Sequence, residues 1–179
     1  MTTYVALLRG INVSGKNKVA MAELRGLVES LGYERVQSYI QSGNIVFASS
    51  SRTATKVADT IAVVITRELG LDVTVIVRTA AEMERVLTSN PLLRQGADPA
   101  KLHVTFLATP PAAAAVRSLA DVDRPPDEFS VATREVFVHC PDGYGDTKLN
   151  NAFFEKRLGV SATTRNWKTV QTLAALATG

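Results

Sequence analysis

The chain carries one cysteine, Cys140, in 179 residues. A lone thiol excludes an internal disulfide and fits a reducing compartment. Histidines are nearly as scarce, and both, His103 and His139, lie in strand-like runs. Neighbouring residues of a strand face opposite ways, so His139 and Cys140 do not converge on one metal ion. Neither a nucleophile elbow nor a pair of spaced carboxylates is present. No cofactor and no metal are expected. Long apolar runs are missing too. None approaches the ~20 residues of a membrane span. The opening MTTYVALLRGINV lacks a basic start and breaks at Arg9, unlike a signal peptide. The expectation is a cytoplasmic protein with no membrane partner. Excess charge is small: +3 overall permits an anionic partner without demanding one.

At 46% hydrophobic and 21% charged, the composition is that of a globular chain long enough for one large or two small domains. Tyr4 to Leu8 reads as a buried strand. Leu24, Leu27, Val28 and Leu31 recur at helical spacing before Gly32. Val36–Ile40 and Ile45–Phe47 flank a turn, Gln41-Ser42-Gly43-Asn44. Val57, Ile61, Val64 and Ile65 form the inner stripe of a second helix that Gly70 closes, and Val73–Val77 is the next strand. Thr79 and Glu82 have the spacing of a capping box for a helix that runs to about Thr88. Residues 90–100 read as a linker. The pattern then partly repeats: strand Leu102–Leu107, helix Ala112–Leu119, hairpin Phe129–Ala132 with Val136–Cys140, helix Leu149–Leu158 before Gly159, and a last helix from about Asn166.

This order predicts an α+β protein of two ferredoxin-like (α/β plait) βαββα halves, the second incomplete or extended by a C-terminal helix. The expected division is 1–79, a helix and linker over 80–100, and 101–179. In such a plait the loop after the first strand and the turn between the second and third lie at one end of the sheet. GINVSGKNK and QSGN are therefore predicted to be neighbours. In the second half, the Thr133-Arg134 turn and the segment Thr163–Trp167 are expected to share an end, with PDGYGDTK at the other.

GINVSGK, Gly10 to Lys16, has the G-x-x-x-x-G-K spacing of a phosphate-cradling loop. A working P-loop places Ser or Thr after the lysine for Mg²⁺ and starts its helix at once. Here Asn17 follows, the helical stripe waits until about Met21, and no strand ends in the second metal-binding aspartate. The glycines are explained by backbone freedom alone. Between these readings, Arg9, Asn12, Lys16, Asn17 and Lys18 gather cations and amides suited to a phosphate or carboxylate without Walker chemistry. Gln41, Ser42 and Asn44 add polar groups beside them, although a hairpin turn accounts for Gly43 and Asn44. In TTRNWKT, Arg165 and Trp167 have the chemistry to grip phosphate or stack on a base; the competing structural reading is a cap at Asn166 and a core position for Trp167. HCPDGYGDTKL is turn-forming, with Asp146 as the expected cap of the next helix. Lys148 sits near that helix N-terminus, where a cation is disfavoured unless an anion is present.

YVALLRGINVSGKNKVAMAELRGLVESLGYERVQSYIQSGNIVF closely resembles the opening of a bacterial family known as domain of unknown function 1697, and VFVHCPDGYGDTKL and TTRNWKTVQTL resemble its closing segments. The resemblance spans nearly the whole chain. It implies α/β-plait domains and signature positions at Arg9, Gly10, Asn12, Gly15, Lys16, Gln41, Ser42, Gly43, Asn44, Lys148, Arg165, Asn166 and Trp167. It also implies Gly-Gly where this chain has Ser14-Gly15, and Ser where it has Thr147. It carries no activity. The residues themselves favour an intracellular protein that binds an anionic ligand, nucleic acid or a nucleotide first, a phosphorylated small molecule next. The alternatives are a metal-free enzyme in which Lys or Arg stabilises negative charge, and an interaction or oligomerisation module using a sheet edge. Magnesium-dependent ATP or GTP hydrolysis is expected to stay at background; activity that disappears in Lys16→Ala would contradict this.

Overall fold

The computed structural model describes all residues, 1–179. The first half runs β1 (Thr2–Leu8), α1 (Met21–Glu29), β2 (Glu34–Tyr39), β3 (Asn44–Ser49), α2 (Ala54–Leu69), β4 (Val75–Thr79) and α3 (Ala80–Thr88). After α4 (Pro91–Arg94) and a 3-10 turn (Pro99–Lys101) come β5 (Leu102–Leu107), α5 (Ala113–Arg117), β6 (Glu128–Val131), β7 (Glu135–His139), α6 (Asn151–Leu158), β8 (Ala162–Asn166) and α7 (Trp167–Thr178). The strands form two antiparallel sheets, β2-β3-β1-β4 and β6-β7-β5-β8. The two orders are the same permutation, so each half is a βαββαβ plait followed by a helix.

The second plait is complete, not truncated, because residues 162–166 form a strand rather than a loop. Apolar periodicity conceals this strand. Its sequence, ATTRN, is polar yet largely buried. Its hydroxyls find partners instead of water: Thr105 and Thr164 are 2.8 Å apart across the β5–β8 pair, and Thr164 Oγ1 donates to Asn151 Oδ1 at 2.6 Å on α6. Paired this way, buried polar groups cost little.

Packing follows from alternation. In β1, Tyr4, Ala6 and Leu8 join Ile45, Phe47 and the inner stripes of α1 and α2 in one core. The intervening Val5 and Leu7 are also fully buried, on the opposite face. Each such side chain contributes about 1.5–3 kcal/mol by leaving water. In the second half, Leu107, Val136, Val138 and Ala162 pack with Leu119, Phe154 and Leu158. The edge strand β2 is blunted by a register shift at Arg35, which has φ 53°. A bulged edge of this kind discourages strand-to-strand association.

The chain divides into two compact units, Met1–Glu84 with Leu173–Gly179, and Arg85–Thr172. The boundary thus falls inside α3, and the end of α7 counts with the first unit rather than with 101–172. Leu176, Ala177 and Gly179 line a small cavity with Gln37, Val46 and Ala48, on the sheet face opposite α1 and α2.

One close approach fixes the end of the first sheet at which β1 finishes, its upper end. Gly43 has φ +79°, and a Cβ there would lie 2.9 Å from Leu8 Cβ and 3.2 Å from Ile11 Cβ. Gly43→Ala combines backbone strain with overpacking and should cost about 3 kcal/mol. Gly15→Ala, with φ +74° and only Lys18 Cε at 3.9 Å, an ordinary contact, should cost only about 1 kcal/mol. Urea unfolding followed by far-UV circular dichroism tests the order; equal losses would contradict it.

Candidate functional site

The GINVSGKNK loop and the QSGN turn meet at that upper end, as the strand order requires. Asn12 Nδ2 donates to Gln41 O at 2.7 Å, and Leu8 N–H donates to Gly43 O at 2.9 Å. The glycine-rich loop is a miniature hairpin. Val13 and Lys16 form an isolated antiparallel bridge, and Lys16 N–H donates to Val13 O at 2.9 Å. Ser14 and Gly15 both have positive φ, the mark of a type I′ turn. The spacing of a P-loop therefore appears here in a different backbone geometry: the Lys16 amide closes a two-residue turn.

Three of the expected ligand amides instead hold the loops. Asn12 Oδ1 accepts from Val19 N–H at 2.9 Å while its Nδ2 donates to Val19 O at 2.9 Å and to Gln41 O. Asn17 Nδ2 donates to Gly10 O at 3.1 Å. Asn44 is fully buried, and its Nδ2 donates to Tyr39 O and Ser42 Oγ, both at 3.1 Å. Lys16, Lys18 and Gln41 remain exposed, and Arg9 is half-buried. Lys18 and Gln41, with Asn12, Gly15, Val19 and Ala20, line an open depression of about 500 Å³ that has no carboxylate in its wall, and Lys16 follows Gly15 in the chain. The N-terminus of α1 adjoins it. Ala20 is the N-cap and offers no side-chain hydrogen bond to the first-turn amides. Glu23 in that turn complements the helix dipole without capping it. Sequence reading did not single out Ala20; the missing Ser, Thr, Asn or Asp before Met21 was the available signal.

The second-half residues separate. β8 runs antiparallel to β5, with Ala162 opposite Leu107 and Asn166 opposite His103. The Arg134 turn lies with Leu107, whose N–H donates to Arg134 O at 2.8 Å. Arg165, Asn166 and Trp167 therefore lie at the opposite end from that turn and share it with the PDGYGDTK loop, contrary to the expected grouping. The unrecognised β8 reverses the direction in which these residues project. Arg165 is buried; its Nη1 donates to Thr163 Oγ1 at 2.8 Å and to Thr164 O at 2.9 Å. Burial lowers its pKa to about 10. Asn166 Oδ1 accepts from Thr169 N–H at 2.8 Å and caps α7. Trp167 is 3% exposed, so it presents no stacking face. Asn150, not Asp146, caps α6, through Phe153 N–H at 3.0 Å. Lys148 borders a cavity of about 280 Å³ together with Arg124, Asp127, Asp142 and Asp146. Three carboxylates against two cations make a poor anion site. No cluster of His, Cys, Asp and Glu has the geometry to hold a metal ion.

The sequence profile of the family described as "Protein of unknown function (DUF1697)" matches residues 1–137. The chain belongs to this family. The matched span holds the whole upper end of the first sheet and stops short of Lys148, Arg165, Asn166 and Trp167. Among solved structures, the chain is similar to the conserved bacterial protein SP0830 from Streptococcus pneumoniae, at 26% identity and a TM-score of 0.79 over 98% of each chain. No curated protein matches. No helix is long and apolar enough to cross a membrane.

At the end of the second sheet where β5 begins, His103 stacks on Tyr144 with ring centroids 4.5 Å apart. Burial lowers the His103 pKa, against a weaker upward pull from a hydrogen bond with the Lys101 backbone. The folded state therefore prefers the neutral ring. Stability contributed by that preference is complete above the unfolded value of 6.5 and is lost as pH falls below it. His103→Phe keeps the stack and removes the titration. Its loss of stability between about pH 7 and pH 5 should be smaller than that of the wild type; parallel urea midpoints across that range would show that His103 is not the group involved.

Proposed function

We propose that the first unit binds an anionic ligand, a nucleic acid in preference to a mononucleotide, at the upper end of its sheet. The observation that carries this reading is the exposed pair Lys16 and Lys18 beside a carboxylate-free depression, next to first-turn amides of α1 that no side chain caps. Helix N-termini of this kind favour phosphate, and lysines add charge that steers and holds it. The three amides that shape the loops leave Gln41 as the exposed amide for directional contact. Arg165 and Trp167 do not enter this reading, since both are buried in the second unit.

A site with two or three cations implies weak, salt-sensitive binding. Each phosphate neutralised on a single strand contributes roughly −0.7 to the slope of log affinity against log salt. Fluorescence anisotropy with a short labelled RNA should give a slope that Lys16→Ala/Lys18→Ala flattens by about one to two units. Arg52→Ala/Lys56→Ala, exposed at the start of α2 and so at the sheet's other end, should leave it nearly unchanged. Absence of binding at low salt, or equal loss in both double variants, would overturn the reading.

A further inference from the structure

The same end of the sheet exposes hydrocarbon that the fold does not use. Val13 and Ile40 are 54% and 50% exposed. Their chain neighbours, Asn12 and Gln41, are joined by the 2.7 Å hydrogen bond that clasps the two loops, which holds both residues at the same end of the sheet. Ile40 is also strained: a β-branched residue at φ 50°, where Asn or Gly is far cheaper. Of the five non-glycine residues with positive φ, four (Asn12, Ser14, Asn17 and Ile40) lie on these two loops. Val63, another exposed aliphatic residue, stands apart on α2. Strain and wet hydrocarbon both oppose folding, and here they coincide at a basic surface. Backbone strain clusters where a site needs a particular geometry.

We propose that Val13 and Ile40 contact the unpaired bases of a single-stranded nucleic acid whose phosphates lie on Lys16 and Lys18. This rests on the anion-binding reading above and narrows its ligand. Phosphate contacts alone position a strand and require no apolar group. A duplex hides its base faces in the stack, whereas a single strand exposes them to apolar side chains. The absence of Asp and Glu between Leu8 and Met21 and among the lining of the depression makes the surface complementary to a polyanion. Trp167 is buried, so the base contact here is aliphatic.

The test is the double variant Val13→Thr/Ile40→Asn. Thr matches Val in shape, and Asn suits the left-handed backbone at position 40, so the melting temperature should stay level or rise. Affinity for a labelled oligouridine should fall about tenfold, with the salt slope unchanged, since phosphate contacts are intact. Affinity for a duplex RNA of equal length and for inorganic polyphosphate should not change. Unaltered oligouridine affinity, or an equal loss on polyphosphate, overturns the proposal. If Lys16→Ala/Lys18→Ala still flattens the slope in that case, anion binding survives and only the base contact fails. If neither double variant alters binding, both fail. Poly-glutamate that binds as well as oligouridine, with the same sensitivity to Val13→Thr/Ile40→Asn, assigns the surface to an acidic protein partner and overturns the proposal as well.

Discussion

The contact of the Gly43 backbone with the end of β1 governs the candidate site. Because no Cβ intervenes, the turn lies close over Leu8 and Ile11 and accepts the Leu8 N–H. That placement brings Gln41 O within reach of the Asn12 amide, which at the same time bonds both backbone groups of Val19. A side chain thus supplies the pairing a neighbouring strand would have supplied. The loop is drawn back toward α1, and its tip is left to project as a hairpin with Lys16 and Lys18 in water. Shape is assigned to the asparagines and charge to the lysines, within one stretch of sequence.

The two units share more than strand order. Arg78 pairs with Val5 in the first sheet, and Arg165 pairs with Val104 in the second. Each arginine directly precedes the residue that caps the next helix. Thr79 exchanges hydrogen bonds with Glu82, and Asn166 accepts from Thr169. Both arginines are buried, a costly state for a charge unless its donors are satisfied. Some of those donors return to local carbonyls, Val77 O and Thr164 O. The repeat is broken where function is sought. The connection after β1 is a long polar hairpin with exposed lysines, whereas the connection after β5, Ala108 to Ala112, is short and holds two prolines. One frame occurs twice, with a basic tip on one copy.

Elements with apolar stripes were legible from residue order. The α2 stripe of Val57, Ile61, Val64 and Ile65, the Thr79–Glu82 capping box and the strand Leu102–Leu107 all appear where spacing places them. The meeting of the two loops in the first half followed from the up-and-down order of its strands. β8 was not legible, because its burial is sustained by hydroxyl pairs and a buried guanidinium, which carry no apolar period. With β8 missing, the direction of Arg165, Asn166 and Trp167 was assigned to the wrong end of the sheet.

The sequence by itself determined the plait architecture of the first half, the neighbourhood of GINVSGKNK and QSGN, and the departure of GINVSGKN from the P-loop residue pattern, since each depends on local periodicity or on one missing residue type. The tertiary structure decided which polar groups are available. Asn12, Asn17 and Asn44 look the same as Gln41 in a string of letters. Only the fold shows that the first three spend their amides on backbone carbonyls of the two loops and their flanks while the side chains of Gln41, Lys16 and Lys18 stay in water. The same holds for Trp167 and Arg165, whose burial depends on a strand that pairs with a partner about sixty residues away. Hydrogen-bond partners are chosen in space, so a polar residue's role is settled only once its neighbours are in place.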